Sequence, residues 1–351
     1  MRENYYDYEG RDKAFPSKIY IEPTDMCNLN CSICFRHGWI DETPGRMDME
    51  VFHKIANEIN TIRSVKEVFF GGMGEPLFHP DIVEMIKSIE SPVKKSLLTN
   101  ASLLSTEMSE KLIEAGLDEL WISMDGFCSE CYEKMRLGGQ YEKLLGSIDS
   151  FNSTRQLYHK KTGKKVDLGI TFVITGQNAE ELRNIDDFAD KYNVDEINIS
   201  HMIPGYPIKE EELLHEKLNV PVGKMHRLKS GSEKIPEDEC PFISKDCMFI
   251  RRDGDIAPCM QLLHSCRTYL YEEERIITRF AYGNVKDLSI MDCWNDEKYV
   301  AFRGRVKEFY FPFCRHCTGC DDRKGNLRDC FLAEAPTCGA CIWASGKVFC
   351  P

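Results

Sequence analysis

Residues 18–36 read KIYIEPTDMCNLNCSICFR. An apolar, strand-like run from Lys18 to Glu22 leads directly into Cys27, Cys31 and Cys34, a CxxxCxxC triplet. The informative count is three. A cubane iron–sulfur cluster has four irons, normally held by four thiolates, so a compact triplet leaves one iron open to a ligand that is not protein. Zinc sites use paired CxxC or Cys/His sets that complete four ligands, and no fourth ligand follows here at once.

Composition sets the class. With 351 residues, 42% apolar and 29% charged, the chain is long enough for one large domain and a small one. No run approaches eighteen apolar residues, and the polar N-terminus MRENYYDYEGRDK lacks the apolar core of a signal peptide. These features predict a cytoplasmic protein with no membrane span. Seventeen cysteines in a reducing compartment then point to metal or cluster ligation rather than disulfides. A net charge of −12 and a pI near 5.4 argue against a general nucleic-acid binder. The basic run HKKTGKK at 159–165 is expected to be a solvated loop between two elements.

The cysteines divide the chain. Between Cys34 and Cys240 only Cys128 and Cys131 occur, whereas residues 240–351 hold twelve. The boundary falls near 205–239, where Pro204, Gly205, Pro207, the acidic run Glu210 to Glu212, Pro221, Gly223 and GSEKIPEDE collect. The expected organisation is an extension over 1–17, a larger unit over 18–205, a linker over 206–239 and a cysteine-rich unit over 240–351.

Upstream, strand-like runs at 18–22, 67–70, 95–99, 119–124, 168–174 and 196–202 alternate with helical patterns near 48–62, 80–90, 106–115, 140–158 and 178–192. Asp48 and Ser105 are plausible N-caps. Alternation of this kind predicts an α/β fold with a parallel sheet and right-handed crossovers. Periodicity permits either an open partial barrel or a doubly wound sheet.

Ligands of parallel α/β folds gather at the C-terminal ends of the strands. After the second strand comes GGMGEPLFHP, where Gly71, Gly72 and Gly74 let backbone approach a ligand and Glu75 offers a carboxylate. The third strand ends at Asn100 and the fourth at Ser123-Met124-Asp125, which supply donors and acceptors, and Arg136 stands in EKMRLGGQ. Tight turns and local Asn, Ser and Asp-Gly turn chemistry would use the same residues.

The triplet with its strand, and the glycine-rich turn one βα unit later, resemble the radical S-adenosylmethionine (radical SAM) enzymes. The resemblance implies a partial (βα)6 barrel and a [4Fe–4S] cluster on Cys27, Cys31 and Cys34 whose open iron chelates S-adenosylmethionine. It also implies a methionyl contact at Gly72, Gly74 and Glu75, ribose contacts at Asn100, Ser123 and Asp125, and a carboxylate contact at Arg136. One departure is Ile33, where the family often has an aromatic residue.

The second cysteine field opens with CPFISKDCMFIRRDGDIAPC, in which DGDI signals a hairpin between two apolar runs. CRHCTGC follows at 314–320, then Cys330, then TCGACIWASGKVFC. This layout resembles the SPASM extension of radical SAM maturases and implies two auxiliary [4Fe–4S] clusters. The grouping read from it places Cys240, Cys247, Cys259 and Cys341 on one cluster and Cys314, Cys317, Cys338 and Cys350 on the other, with Cys320 and Cys330 competing. A pair of structural zinc sites would use the same paired spacings. Cys128, Cys131, Cys266 and Cys293 are expected to be buried small hydrophobes. His37, Trp39, Arg36 and His201 are expected to serve packing or the surface.

From IYIEPT to PTCGACIWASGKVFCP the chain resembles the SPASM-type radical SAM maturases encoded beside tungsten-dependent aldehyde oxidoreductases. That resemblance implies cleavage of S-adenosylmethionine to a 5′-deoxyadenosyl radical that takes hydrogen from a substrate, in maturation of a tungsten enzyme or its cofactor. The implied partners are a low-potential electron donor of ferredoxin or flavodoxin type and a protein, peptide or pterin-cofactor substrate. The first cluster is expected to bind S-adenosylmethionine independently of the second field. An alternative is crosslinking of a peptide or protein side chain, weakly disfavoured by the seventeen residues before the first strand. A non-catalytic electron-transfer protein is a third reading, which leaves the glycine-rich turn without a role.

Overall fold

All six runs read as strands form β-structure: β1 (Lys18–Ile21), β2 (Glu67–Phe70), β3 (Lys94–Thr99), β4 (Glu119–Ser123), β5 (Asp167–Ile174) and β6 (Glu196–His201). The computed structural model describes residues 15–40, 43–90, 92–207, 239–270, 272–314, 317, 319–344 and 348. Most of the expected linker, residues 208–238, lies outside the described residues, as does Cys350.

Helices connect the strands: α1 (Met49–Ile59), α2 (Ile82–Ser88), α3 (Thr106–Glu114), α4 (Ser129–Met135), α5 (Tyr141–Thr162) and α6 (Ile185–Lys191). Asp48 caps α1 by accepting from Glu50 N, and Ser105 caps α3 by accepting from Met108 N, which satisfies backbone donors that the first turn leaves free. Helix α4 is not evident in the sequence pattern, and residues 178–192 divide into a 3-10 turn (Ala179–Asn184) and α6.

The basic run is corrected. Residues 159–162 form the last turn of α5, which stops at Gly163 with φ +76, a left-handed cap position suited to glycine. Cations there face the carbonyl end of the helix dipole. Lys164 and Lys165 go on to pair with Asp118, Asp167 and Asp195.

Strands β1 to β6 pair in sequence order, all parallel, which is the consequence of helix-linked crossovers. The cysteine-rich segment is continuous with this sheet. Its strand β7 (Cys247–Ile250) pairs parallel with β1 in the register Lys18↔Cys247, and β8 (Asp255–Ala257) returns antiparallel through the DGDI turn. Gly254 in that turn has φ +94, where a side chain would be strained. The described sheet has nine strands in the order β11-β8-β7-β1-β2-β3-β4-β5-β6, where β11 is Gly283–Asn284. A separate hairpin joins β9 (Cys266–Leu270) to β10 (Glu273–Ile277).

Alternation along each strand makes two cores. Ile19, Ile21, Val68, Phe70, Leu120 and Ile122 face the helices. Tyr20, Phe69, Trp121 and Phe249 face the other way, onto Phe242, Met260 and Trp343 of the C-terminal field. Tyr20 stacks on Phe249 at 4.4 Å. Gly169 lies beside Trp121, where an added Cβ would come within 2.4 Å of the indole.

Candidate active site

The triplet sits in a loop that the rest of the chain holds from several sides. Asn30 N donates to Leu137 O at 3.0 Å and Ser32 N to Met135 O at 2.9 Å, which fixes Cys31 against the end of α4. Cys34 N donates to Cys31 O at 3.0 Å, and Leu29 N approaches Cys27 Sγ at 3.4 Å. Arg36 donates to Leu29 O and Asp25 O and lies beside the Cys34 thiol, so its cation is turned toward the three sulfurs. Burial pushes the Cys27 and Cys31 thiols up, and the nearby cations Arg36 and Arg136 oppose that shift. The three thiols are half-buried, and Cys27 and Cys34 are both neighbours of Cys31.

A cavity of about 220 Å³ adjoins the loop. Its walls include Ile33 and Phe35 on either side of Cys34, Gly72 and Met73 of the glycine-rich turn, Ser123 at the end of β4, Asn198 and Ser200 of β6, and Arg136 after α4. The C-terminal field closes it with Met260, Trp343 and Val348. Ile33, the position that departs from the aromatic habit, thus lies on the wall as an apolar contact.

The strand-end residues divide into lining and bracing groups. Gly72, Ser123 and Arg136 line the cavity. Glu75 is instead turned into the protein, where Thr99 Oγ1 (2.7 Å), Asn100 N (2.7 Å) and Leu77 N (3.0 Å) donate to its carboxylate. Burial pushes its carboxyl up against the pull of these donors. At Gly74, read from sequence as space for a ligand, an added Cβ would meet Thr24 O at 2.1 Å. The glycine is required because the cysteine loop's own backbone fills that space. Asn100 lies beside the triplet, with Nδ2 at 3.7 Å from Cys27 Sγ and 3.2 Å from Asn28 Oδ1. Asp125 is fully buried and paired with Arg136, Oδ2 to Nη2 2.7 Å, while Oδ1 accepts from Val173 N. Its charge is therefore committed to the protein. Arg136 Nε is buried with no hydrogen-bond partner, and the guanidinium as a whole lines the cavity, where an anionic ligand group fits. The donor set, three thiols beside a cavity with a guanidinium on its wall, fits a site-differentiated cluster and a zwitterionic ligand.

The C-terminal thiols gather differently from the expectation. Cys240, Cys259, Cys338 and Cys341 line one small cavity of about 20 Å³. Cys338 thus moves from the second group to the first. Cys317, Cys330 and Cys320 lie near Cys314. Cys247, read with the first group, does not line that small cavity. It is 1% exposed in the β7 core, and its Sγ points toward Lys245 O. Burial pushes Cys240 up to about 12 and Cys314 up to about 11. Among the described residues, the ligand atoms of Glu22, Asp25 and His264 form the group that lies within 4.8 Å of one another.

Cys266 and Cys293 are buried, as expected of small hydrophobes. Cys128 is exposed and caps α4 by accepting from Cys131 N at 3.4 Å, so it is not one. Burial pushes the Cys131 thiol up to about 11.

Sequence reading missed Glu22, Asp25, Trp39 and His264 as a connected set. Glu22 accepts from His264 Nε2 at 3.0 Å and from Met73 N at 3.1 Å. Asp25 accepts from Gly45 N and from Arg252. The available signal was two acids in EPTD, immediately before Cys27, at the buried end of a strand.

A thiol triplet after the first strand of a parallel sheet, in a loop that adjoins a cavity at the strand ends, defines a radical SAM enzyme. Residues 21–189 match the Radical SAM superfamily and residues 240–321 the SPASM iron–sulfur cluster-binding domain, and the chain belongs to that superfamily. Membership implies a [4Fe–4S] cluster and S-adenosylmethionine. A tungsten-containing aldehyde ferredoxin oxidoreductase cofactor-modifying protein of Pyrococcus furiosus is 29% identical over 350 residues, spanning 95% of this chain and 96% of the relative. A probable GTP 3′,8-cyclase of Pyrococcus abyssi is 31% identical over 228 residues, 60% of this chain and 70% of the relative. The same fold occurs in anSMEcpe with bound AdoMet, at a TM-score of 0.62 and 17% identity over 95% of this chain and 96% of that one. It also occurs in Streptococcus suis SuiB bound to precursor peptide SuiA, at 0.60 and 19% over 82% and 67%. No helix among the described residues is long and apolar enough to cross a membrane.

Proposed function

We propose that this chain is a maturase that uses S-adenosylmethionine to modify a tungsten-dependent oxidoreductase or its pterin cofactor. The observation that carries this reading is the similarity to a cofactor-modifying protein over 95% of this chain and 96% of the relative. Held by Cys27, Cys31 and Cys34, a [4Fe–4S] cluster given one electron by a ferredoxin- or flavodoxin-type donor would supply reductive cleavage of S-adenosylmethionine to methionine and a hydrogen-abstracting 5′-deoxyadenosyl group.

The chain's own residues have the following roles. Cys27, Cys31 and Cys34 hold the cluster. Gly72 and Ser123 receive the cofactor by backbone and hydroxyl, and Arg136 takes its carboxylate through its guanidinium. Asp125 fixes the guanidinium, Glu75 braces the turn against β3, and Asn100 orients toward Cys27. Phe35, Met260 and Trp343 exclude water from the cavity, which protects a primary radical from side reactions.

Cys240, Cys259, Cys338 and Cys341 supply an inner auxiliary [4Fe–4S] site, and Cys314, Cys317, Cys320 and Cys330 an outer one. Four thiols in each set favour full ligation and electron transfer over substrate binding at an open iron. The test is mass spectrometry of the tungsten oxidoreductase and its extracted pterin, made with and without this chain. A mass difference in either supports the reading, whereas modification confined to a peptide substrate replaces it with side-chain crosslinking.

A further inference from the structure

Both carboxylates of the EPTD stretch after β1 reach across to the C-terminal field. Glu22 is 1% exposed, and both its oxygens lie 3.0 Å from His264 Nε2. Oε1 also accepts from Met73 N at 3.1 Å, within the glycine-rich turn. The Glu22 stem occupies the space a Gly72 side chain would need, since a Cβ there would lie 2.7 Å from Glu22 Cγ. His264 is fully buried and stacks on Trp39 at 4.3 Å, five residues beyond Cys34. The backbones run together beside it: Ile40 N donates to Ser265 O at 3.0 Å, and Trp39 bridges Cys266. Asp25 repeats the arrangement with Arg252.

The ligand atoms of Glu22, Asp25 and His264 are close enough to suggest a cation site. Arg252 on Asp25 and the Met73 N–H on Glu22 already use those lone pairs, and a second positive charge beside the guanidinium is unfavourable. The group is a hydrogen-bonded lock.

His264 lies five residues after Cys259 of the inner cysteine set. The path Cys259, His264, Glu22, Met73 therefore joins the auxiliary site to the glycine-rich turn by one short loop and two hydrogen bonds. We propose that Glu22 is a positioning residue for S-adenosylmethionine binding, and that through His264 it makes the glycine-rich turn depend on the folded C-terminal field. The proposal rests on the reading of that turn as part of the cofactor's seat, and it replaces the expectation that the first cluster binds the cofactor independently. Loss of the inner thiolates loosens the loop that presents His264. A buried carboxyl group is then left without its partner, and the turn is released. Linkage is reciprocal, so cofactor binding must also tighten the 259–264 loop.

The test uses reconstituted full-length protein without reductant, so that nothing turns over, with labelled S-adenosylmethionine in equilibrium dialysis. The variants are Cys259→Ala, Glu22→Gln and the double. Each single variant is expected to weaken binding by roughly 5- to 150-fold, the usual range of coupling, and the double variant no further than the weaker single. Hydrogen exchange at residues 259–264 should slow on cofactor addition in the unsubstituted chain and not in Glu22→Gln. If Glu22→Gln does not fold, His264→Gln breaks the lock from the other side. Unchanged binding in Cys259→Ala, or effects that multiply in the double variant, would overturn the coupling while leaving the seat intact. An unsubstituted chain that binds no S-adenosylmethionine would overturn the seat itself.

Discussion

Arg136 Nη2 lies 2.7 Å from Asp125 Oδ2, joining the residue after α4 to the end of β4 at the cavity wall. Asp125 is fully buried, and the carboxylate beside Arg136 holds its guanidinium further above the ordinary range despite burial. Sequence reading assigned both residues to the ligand, but each is the other's partner, and Arg136 alone of the two also lines the cavity. Asp125→Asn would leave a buried cation uncompensated. The expected loss is roughly 3–5 kcal/mol of stability, read by anaerobic urea unfolding. A loss below 1 kcal/mol would mean that the pair is solvated.

Gly74 tests what the glycine-rich turn is for. A Cβ at Gly74 would meet backbone of the cysteine loop at Thr24 O, so Gly74→Ala must displace that loop. The expected result is loss of up to about four irons per chain, the content of one [4Fe–4S] cluster. Gly146→Ala is the control. Gly146 lies in α5 with nothing within 4 Å of its added Cβ, and alanine there should leave iron unchanged and add about 1 kcal/mol of stability.

Cys247 and Cys338 separate the two possible groupings of the C-terminal thiols. Cys338→Ala should lower iron by about four per chain. Cys247→Ala should keep the full iron content and lose only about 1 kcal/mol, because the thiol packs as a small hydrophobe in β7. Iron analysis of the two variants decides the matter, and equal losses would restore Cys247 to a cluster.

Much of the fold was legible because parallel strands buried on both faces leave short apolar runs, and all six were visible in the sequence. Asp48 and Ser105 were legible because capping is local. The continuation of the sheet through β7 was not, since pairing of Lys18 with Cys247 is set by tertiary packing that no local pattern encodes. The thiol triplet stands out by its spacing, whereas the chain distance from Cys240 to Cys341 says nothing about which sulfurs meet. Glu75 and Asp125 were read as ligand groups because sequence shows a carboxylate but not which donors already occupy it. Glu22 and His264 stand 242 residues apart, and neither belongs to a motif that the spacing picks out.

Formation of 5′-deoxyadenosine by reduced, reconstituted protein is the most direct test of the central claim. The unsubstituted chain should convert S-adenosylmethionine to 5′-deoxyadenosine and methionine. The variant with Cys27, Cys31 and Cys34 all replaced by Ala should form none and should carry about four fewer irons per chain, from about twelve to about eight. Undiminished cleavage in the triple variant, or none in the iron-replete unsubstituted protein, would contradict it.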